Sequence, residues 1–377
     1  LTVAHPILIL GCGVLSRRIA DVLAADGRFC PTIADRDGDG LHAAQIAGYH
    51  TRPIAGPSYR EALLRAMTGQ AAVIVSDAAD SAPDIAACAA TQGCHYLDVL
   101  ESAVSAKAVG KAAVAAPAKV GFAPGCGLAP GYVTALASAD LAAAGPQAEV
   151  TVFVGVLPAD PTNRLGYANI WGVSGLIDEY TQPCLCLRDW ALDRIAPLSE
   201  REEVEIGGQR LEAFTTAGSL DALAARHAGE VRGLVFKTLR YPGHLDYIRF
   251  LLEDLGLSRQ LYRLKSLLLS SLPQSDDDRV VIALRTVEPG RPTRWSERTL
   301  RATPRSDGRR DSAIATTTAA HVAAMLDLVL TGRPPLRGLI APGAVPVARL
   351  RESPFFALLD REAKDSHASG ETDHYRR

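Results

Sequence analysis

The apolar run Pro6-Ile-Leu-Ile-Leu10 leads straight into Gly11-Cys-Gly13, and no other stretch constrains the fold so strongly. It reads as a buried strand that breaks at Gly11 and turns, through Gly13, into a helix beginning near Leu15. Pro31-Thr-Ile-Ala-Asp35 follows as a second short strand ending in a carboxylate. A strand, a glycine turn, a helix and a strand-end acid, in that order, form a dinucleotide-binding unit. Gly11 permits the tight turn, and Gly13 lets the backbone approach a pyrophosphate. Val14 and Leu15 open the helix and offer it unpaired N–H groups with a partial positive charge. Ser16 stands where such turns carry a third glycine and is small enough for close helix–strand packing. Asp35 lies 22 positions past Gly13, near the ~20 expected of the residue that hydrogen-bonds the adenosine ribose.

A carboxylate at Asp35 accepts from ribose hydroxyls and repels a 2′-phosphate, which favours NAD over NADP. Arg36 complicates this, since an arginine there pairs with a 2′-phosphate, stacks on adenine or stays solvated. Ser76 and Asp77 follow the apolar strand 71–75 and reach the same rim of the sheet. The expected cofactor set is therefore Gly11, Gly13, Val14, Leu15, Asp35, Arg36, Ser76 and Asp77.

At 377 residues the chain suits two domains. Its hydrophobic content of 47% and charged content of 22% are those of a globular protein. A net charge of −2 argues against nucleic acid as a partner, and the basic run 305–310 reads as a solvated loop. No apolar run approaches the ~20 residues of a bilayer span, so no membrane is expected. Residues 1–10 lack the basic stretch of a signal peptide. The seven cysteines are odd in number and scattered, and Cys184-Leu-Cys186 has no second pair at zinc spacing. Reduced thiols, a cytoplasmic location and no metal are the expectation.

Helices at 40–47, 59–68, 83–92 and 103–115 alternate with strands at 51–54, 71–75, 95–99 and 119–122. Such alternation predicts an α/β fold, a Rossmann-type doubly wound parallel sheet over residues 1–125. In such sheets ligands lie beyond the carboxyl ends of the strands. From about 147 the texture changes to partly alternating strands at 148–155, 203–206, 231–236 and 279–285. A second, α+β domain is expected over 126–312, for substrate and oligomerisation. An apolar helix at 313–330 then leads a segment, to about 345, back to the first domain. Residues 364–377 read as a flexible tail.

Gly121-Phe-Ala-Pro-Gly-Cys-Gly-Leu-Ala-Pro-Gly131 carries a more specific signature, with Tyr96-Leu-Asp98 upstream and Lys237-Thr-Leu-Arg-Tyr-Pro-Gly-His244 downstream. Together they resemble the saccharopine dehydrogenase family. Trp171-Gly-Val-Ser-Gly-Leu-Ile-Asp-Glu-Tyr-Thr181 and the segment 211–218 are similar to its bacterial lysine 6-dehydrogenase branch. The resemblance implies a Rossmann domain paired with a substrate domain that also forms the contact of a homodimer or higher homo-oligomer. It implies oxidation of an amine by NAD(P), for that branch L-lysine to allysine with release of ammonia. Ala129 departs from the Cys-Gly-Leu-Asp-Pro-Gly motif of the saccharopine-forming members, which weakens a reductive-condensation reading without removing it. A catalytically silent NAD-binding protein is the alternative from another class.

Hydride transfer from an amine needs a cofactor face, a neutral amine, a place for its proton and an anchor for the rest of the substrate. Asp98, at a strand end, either orients the amine and takes its proton or serves as a turn acid. Tyr96 touches substrate or packs as an aromatic. Cys126 is a substrate contact or a small hydrophobe in a tight turn. Lys237, Arg240 and His244 fall after the strand 231–236, where two cations and an imidazole make a carboxylate clamp. Arg240 brings the planar fork, and His244 has a side chain suited to acid–base work. Against that, Arg240 pairs with an internal acid such as Glu179, and His244 caps the helix 245–255. Glu179 and Trp171 complete the expected substrate set.

Overall fold

The computed structural model describes residues 4–77, 81–170, 173–218, 220–360 and 363–364. The backbone divides into two units, one running to Leu136 and taking in Ala315–Asp360, the other spanning Ala137–Ile314. The sequence placed these divisions near 126 and 313. The glycine-rich turn at 125–131 and the first residues of the next helix stay with the first unit instead.

In that first unit β1 (His5–Leu10) leads to α1 (Val14–Ala24) and β2 (Phe29–Asp35). They are followed by α2 (Gly38–Ile46), β3 (Thr51–Pro53), α3 (Tyr59–Met67), β4 (Ala72–Val75), α4 (Ala82–Gln92), β5 (His95–Asp98), α5 (Ala103–Ala115) and β6 (Gly121–Ala123). Ile7, Leu8 and Ile9 are fully buried, as are Val73, Ile74 and Val75. A parallel sheet covered on both faces requires such unbroken apolar strands. Side-chain caps start the helices: Asp37 accepts from Asp39 N, Ser58 from Glu61 N and Ser102 from Ser105 N, each worth about 1 kcal/mol. Gly93, left-handed, ends α4.

After α6 (Tyr132–Ala143), the chain builds the second unit from β7 (Glu149–Pro158), α7 (Val173–Thr181), β8 (Cys184–Arg188), β9 (Ala191–Ile195), β10 (Glu202–Ile206) and β11 (Gln209–Thr215). It continues through α8 (Asp221–His227), β12 (Gly233–Arg240), α9 (His244–Arg249), α10 (Leu261–Ser271), β13 (Asp278–Val287) and β14 (Arg294–Arg301). A small hairpin, β15 (Thr303–Pro304) and β16 (Arg310–Asp311), precedes the return through α11 (Ala313–Leu330), β17 (Gly338–Leu339) and α12 (Val347–Leu350), and β18 (Ala363–Lys364) closes the series.

Among the described residues the first sheet has seven parallel strands in the order β17-β6-β5-β4-β1-β2-β3. The order reverses between β1 and β4, and that switch point is where open α/β sheets bind ligands. α11 is long and apolar enough to cross a membrane by length and composition, but 83% of it is buried. It is a core helix.

The second sheet is mixed, ordered β10-β11-β12-β7-β13-β14-β18, with β8 and β9 joined to it beside β12. Lys364 is not a free tail residue, since in β18 it pairs with Glu297; residues 365–377 lie outside the described residues. Alternation along β12 sends Leu239 to one face, with Phe153, Leu157, Leu211, Ala213, Val281 and Ala283. On the other face Phe214 meets Tyr180 of α7, Leu245 and Ile248 of α9, and Leu264 and Leu268 of α10. The strand runs through Arg240, so Lys237 and Arg240 lie inside it rather than after it. The helix expected at 245–255 is α9 followed by a π-turn, Phe250–Asp254.

Candidate functional site

The glycine turn has the geometry a dinucleotide needs. Gly11 sits at φ +115°, where a Cβ would lie 2.5 Å from the Ser76 hydroxyl. Ser76 Oγ donates to Leu10 O at 2.9 Å and contacts Ser16 Oγ at 2.6 Å, so this side chain braces the turn. Gly13 differs: it is the N-cap of α1, with no side-chain cap, and a Cβ built on it meets nothing within 4 Å. The helix thus starts, at Val14 and Leu15, behind a glycine with open space beside its Cα, an arrangement that fits a pyrophosphate at a helix N-terminus. Val14 itself is 72% exposed. Asp35 Oδ1 accepts from Arg36 N at 2.6 Å and Asp37 N at 3.1 Å, which aims the carboxylate at the strand end. The Arg36 guanidinium lies 5.1 Å from the centre of the Tyr59 ring. Asp77 follows Ser76 beside Gly11.

The residues expected to do chemistry in this unit are internal. Asp98 is 1% exposed. Its Oδ2 accepts from Tyr96 Oη at 2.8 Å, and Oδ1 accepts from Gly125 N at 2.8 Å and Leu100 N at 3.1 Å. Cys126 N donates to Asp98 O at 2.6 Å. Burial raises the Asp98 carboxyl above its ordinary range, while those donors oppose the shift. The geometry is that of the turn acid, the alternative to amine orienter or proton acceptor: Oδ1 ties the 125–131 turn through Gly125 N and the strand end through Leu100 N, while Oδ2 is taken by Tyr96. Tyr96 is fully buried and stacked on Phe122, and burial with the neighbouring carboxylate pushes its phenol up. Cys126 is 3% exposed, donates its thiol to Ala123 O at 3.1 Å, and is also pushed up by burial. Both are packing residues rather than catalytic ones.

His321, which the sequence reading missed, completes this arrangement. It is buried on α11 and its Nδ1 lies 2.9 Å from Cys126 O. A carbonyl only accepts, so Nδ1 carries the proton. Burial lowers its pKa to about 4, and a small cavity of about 10 Å³ opens beside it, bordered by Gly125, Cys126 and Pro342. A lone histidine in a mostly apolar helix was the signal available in the sequence.

In the second unit the end of β12 carries a connected polar chain. His244 is fully buried; its Nδ1 lies 2.8 Å from Leu165 O and its Nε2 2.9 Å from Tyr180 Oη. The Leu165 carbonyl requires a proton on Nδ1, so Nε2 accepts the Tyr180 hydroxyl proton. The Tyr180 oxygen in turn accepts from Arg240 Nε at 2.9 Å, and Arg240 Nη1 donates to Leu239 O at 2.9 Å. Burial, with Arg240 close by, drops the His244 pKa to about 3. His244 is therefore a fixed neutral relay that orients Tyr180, not an acid or base. Nor does its side chain cap α9, whose N-cap is Gly243 with no side-chain bond.

Arg240 is 2% exposed, with its guanidinium 5.3 Å from the centre of the Tyr167 ring and 5.8 Å from that of Tyr180. Its Nη2 stands 3.8 Å from Glu179 Oε2, beyond hydrogen-bond reach. Glu179 Oε2 is buried with no hydrogen-bond partner among the described residues. Burial, only partly offset by Arg240, brings the Glu179 pKa to about 7.

Lys237 does not join this group. It points to the opposite face of β12, where Nζ donates to Glu202 Oε1 at 2.6 Å and to Glu200 O at 2.8 Å. Arg285 holds the other oxygen of Glu202 at 2.7 Å. The two-cation clamp is corrected to a single arginine, because residues three apart on a strand face opposite ways. Trp171 lies outside the described residues. Tyr180, inside the segment 171–181 but not singled out there, and Tyr167, outside every motif, hold Arg240 in place.

Residues 7–121 match the model of the saccharopine dehydrogenase NADP binding domain, and residues 127–363 that of the saccharopine dehydrogenase C-terminal domain. Among solved structures, the chain is similar to the apo saccharopine dehydrogenase (L-Glu forming) of Saccharomyces cerevisiae. Identity is 17%, coverage is 96% of this chain and 99% of that one, and the TM-score is 0.76. GenD2 from gentamicin A biosynthesis, in complex with NAD, matches at 15% identity with 98% of each chain covered and a TM-score of 0.43. A levoglucosan dehydrogenase in complex with NADH matches at 11% identity over 97% of this chain and 100% of that one, with a TM-score of 0.43. The yeast match supports the fold, and the two family models cover both halves of the sequence: the chain belongs to the saccharopine dehydrogenase family of NAD(P)-binding oxidoreductases.

Proposed function

We propose that the protein is an NAD-dependent amine dehydrogenase that oxidises the ε-amine of L-lysine, or of a close ω-amino acid, and releases ammonia. The net reaction converts R–CH₂–NH₂, NAD⁺ and water to R–CHO, ammonia, NADH and a proton. When bound, the nicotinamide supplies the hydride acceptor. The observation that carries the reading is Arg240: a buried guanidinium, fixed through Nε and Nη1, whose Nη2 edge makes no hydrogen bond among the described residues. Such an edge suits a substrate carboxylate. Asp35 supports NAD, because its carboxylate stands at the end of β2 where a 2′-phosphate would be repelled.

Reductive condensation, as in saccharopine formation, needs anchors for additional carboxylates. Arg188 is ion-paired with Glu200, and Arg232 with Glu149 and Asp189, so neither arginine is an uncommitted anchor. Ala129, in place of the motif aspartate, also favours the deaminating branch.

The test is formation of NADH from L-lysine together with a stoichiometric ammonia assay. Hydride loss requires the neutral amine, so the rate is expected to climb on the alkaline side toward the ordinary lysine pKa of ~10.4. NADH without matching ammonia would reject deamination in favour of a secondary-amine substrate. No NADH from any amino acid or diamine, with NAD still bound, would leave the non-catalytic reading.

A further inference from the structure

Cys12 is the side chain between the two glycines of the cofactor turn. Its thiol donates to Asp37 Oδ2 at 3.9 Å and also interacts with the Asp35 carboxylate. Burial, together with these two acids, lifts the Cys12 pKa to about 11, so the sulfur stays a neutral donor facing two carboxylates. Asp37 is held at its other oxygen as well, where Oδ1 accepts from Asp39 N and caps α2. Gly40, in the first turn of α2, leaves room for the link, since a Cβ there would collide with Cys12 Sγ and Asp37 Oδ2. A helix cap needs only one carboxylate oxygen. Here the second one is tied back to the glycine turn, 25 residues upstream.

Asp35 and Asp37 thus converge on one thiol at the end of β2, the strand end at which a dinucleotide presents its adenosine ribose. We infer that Asp37, held to the glycine turn by Cys12, is a second determinant of cofactor choice, adding its charge to the rejection of a ribose 2′-phosphate by Asp35. The inference rests on the NAD preference read from Asp35 and deepens it; the amine substrate plays no part. A 2′-phosphate drawn toward Arg36 meets two negative charges rather than one. Asp35, at the strand end itself, carries the larger share. Cys12 is a positioning residue that keeps the Asp37 carboxylate at the turn instead of in solvent.

Calorimetric titration of the full chain with NAD and with NADP, in the absence of any amine, reads this choice apart from the reaction. Asp37→Asn keeps the size of the side chain and a capping oxygen and removes the charge. It should lower the ratio of the NADP Kd to the NAD Kd roughly threefold to tenfold, chiefly through tighter NADP binding. The difference from the wild type should shrink at about 0.5 M salt, where exposed charges are screened. Cys12→Ala should shift the ratio the same way by roughly two- to threefold, since a thiol is a weak donor. Cys12→Ser keeps a donor and should restore it, which tests the link with Asp37 untouched. An unchanged ratio in Asp37→Asn overturns the assignment, and so does a shift that high salt leaves undiminished. Equal ratios in the wild type and both Cys12 variants overturn the positioning role. If the wild type prefers NADP and Asp37→Asn tightens NADP further, the NAD reading falls and the role of Asp37 stands. If the wild type prefers NAD and the variant does not move the ratio, the NAD reading stands and Asp37 is a helix cap alone.

Discussion

The two candidate sites are built in opposite ways. The cofactor turn is written in nearly consecutive residues, from Leu10 to Ser16, with Asp35 and Ser76 brought in by the next strands of one parallel sheet. The Arg240 group is gathered from Leu165, Glu179, Tyr180 and His244, which lie on a loop and two helices. A turn dictated by backbone conformation survives translation from sequence to structure. A group dictated by which face each side chain occupies does not. Arg240 and Lys237 belong to one motif, yet β12 sends them to opposite faces and only one remains a candidate anchor.

The sharpest way to break that contrast is to separate backbone from ligand within the turn itself. Gly11→Ala forces a side chain into φ +115° and a 2.5 Å contact with Ser76 Oγ, so the fold should lose about 2 kcal/mol or more, read as a fall in Tm. Gly13→Ala meets nothing and should cost under about 1 kcal/mol as an N-cap change. Its methyl group occupies the space in front of the helix N-terminus, so NAD affinity should drop roughly tenfold or more by calorimetry. If both variants lose stability equally, the space before Gly13 is not a phosphate cradle.

Arg240→Lys tests the other site. Lysine cannot reproduce the fork or its bond to Tyr180, so kcat/KM for lysine should fall roughly tenfold to over a hundredfold, mostly through KM, with NAD affinity intact. Cadaverine, which lacks the carboxylate, should be a poor substrate of the wild type and lose little more in the variant. Equal impairment of lysine and cadaverine would make Arg240 a structural residue, and the carboxylate anchor would have to be sought elsewhere.

The strand–helix order, the glycine turn, Asp35 and the return of a late segment to the first sheet were legible because local apolar patterning fixes them. The individual roles were not. Asp98 occupies a strand end on the rim, as a catalytic acid would, but Gly125 N, Leu100 N and Tyr96 consume its oxygens. Nothing in the run from Tyr96 to Asp98 says that a turn nearly thirty residues later donates back to it. His244 reads as an acid–base group until Leu165 O and Tyr180 occupy both nitrogens. Tyr180 stands in the quoted segment 171–181, yet nothing in that segment marks its hydroxyl as the link between Arg240 and His244. Polar networks of this kind depend on tertiary partners and carry no sequence period.

The same contrast has a pH dimension, since each unit holds a buried neutral imidazole. The pKa of His321 falls to about 4 and that of His244 to about 3, against an ordinary 6.5. The unfolded chain therefore takes up these protons first, and the stabilising contribution of each neutral imidazole is whole above pH 6.5 and declines as pH falls toward its folded value. Glu179 near 7 and Asp278 near 6 work in the opposite sense, because the folded state protonates them first. Wild-type stability is thus partly compensated, and a variant isolates one group. The stability gap between wild type and His321→Asn should shrink by about 2 kcal/mol between pH 6.5 and 5, measured by chemical denaturation. A gap that stays constant would mean that His321 is charged in the fold, which its bond to Cys126 O alone does not require.

The smallest expected effect concerns the residue that sets cofactor choice beside Asp35. Arg36 stands next to Asp35 with a guanidinium able to welcome a 2′-phosphate, and that guanidinium lies 5.1 Å from the centre of the Tyr59 ring. An exposed cation–π contact is worth about 0.5–1 kcal/mol, so Tyr59 biases Arg36 away from a phosphate by roughly two- to fivefold. Asp35→Ala removes the repulsion and should relax the NAD preference most. Tyr59→Leu leaves the carboxylate in place and should lower the NAD to NADP ratio of kcat/KM by only two- to fivefold, chiefly through a better KM for NADP. A ratio that does not move in Tyr59→Leu but does move in Asp35→Ala would show that Arg36 takes no part, and that discrimination is the work of the carboxylate alone. A wild type that prefers NADP outright would reverse the argument, placing Arg36 on the phosphate in spite of Tyr59.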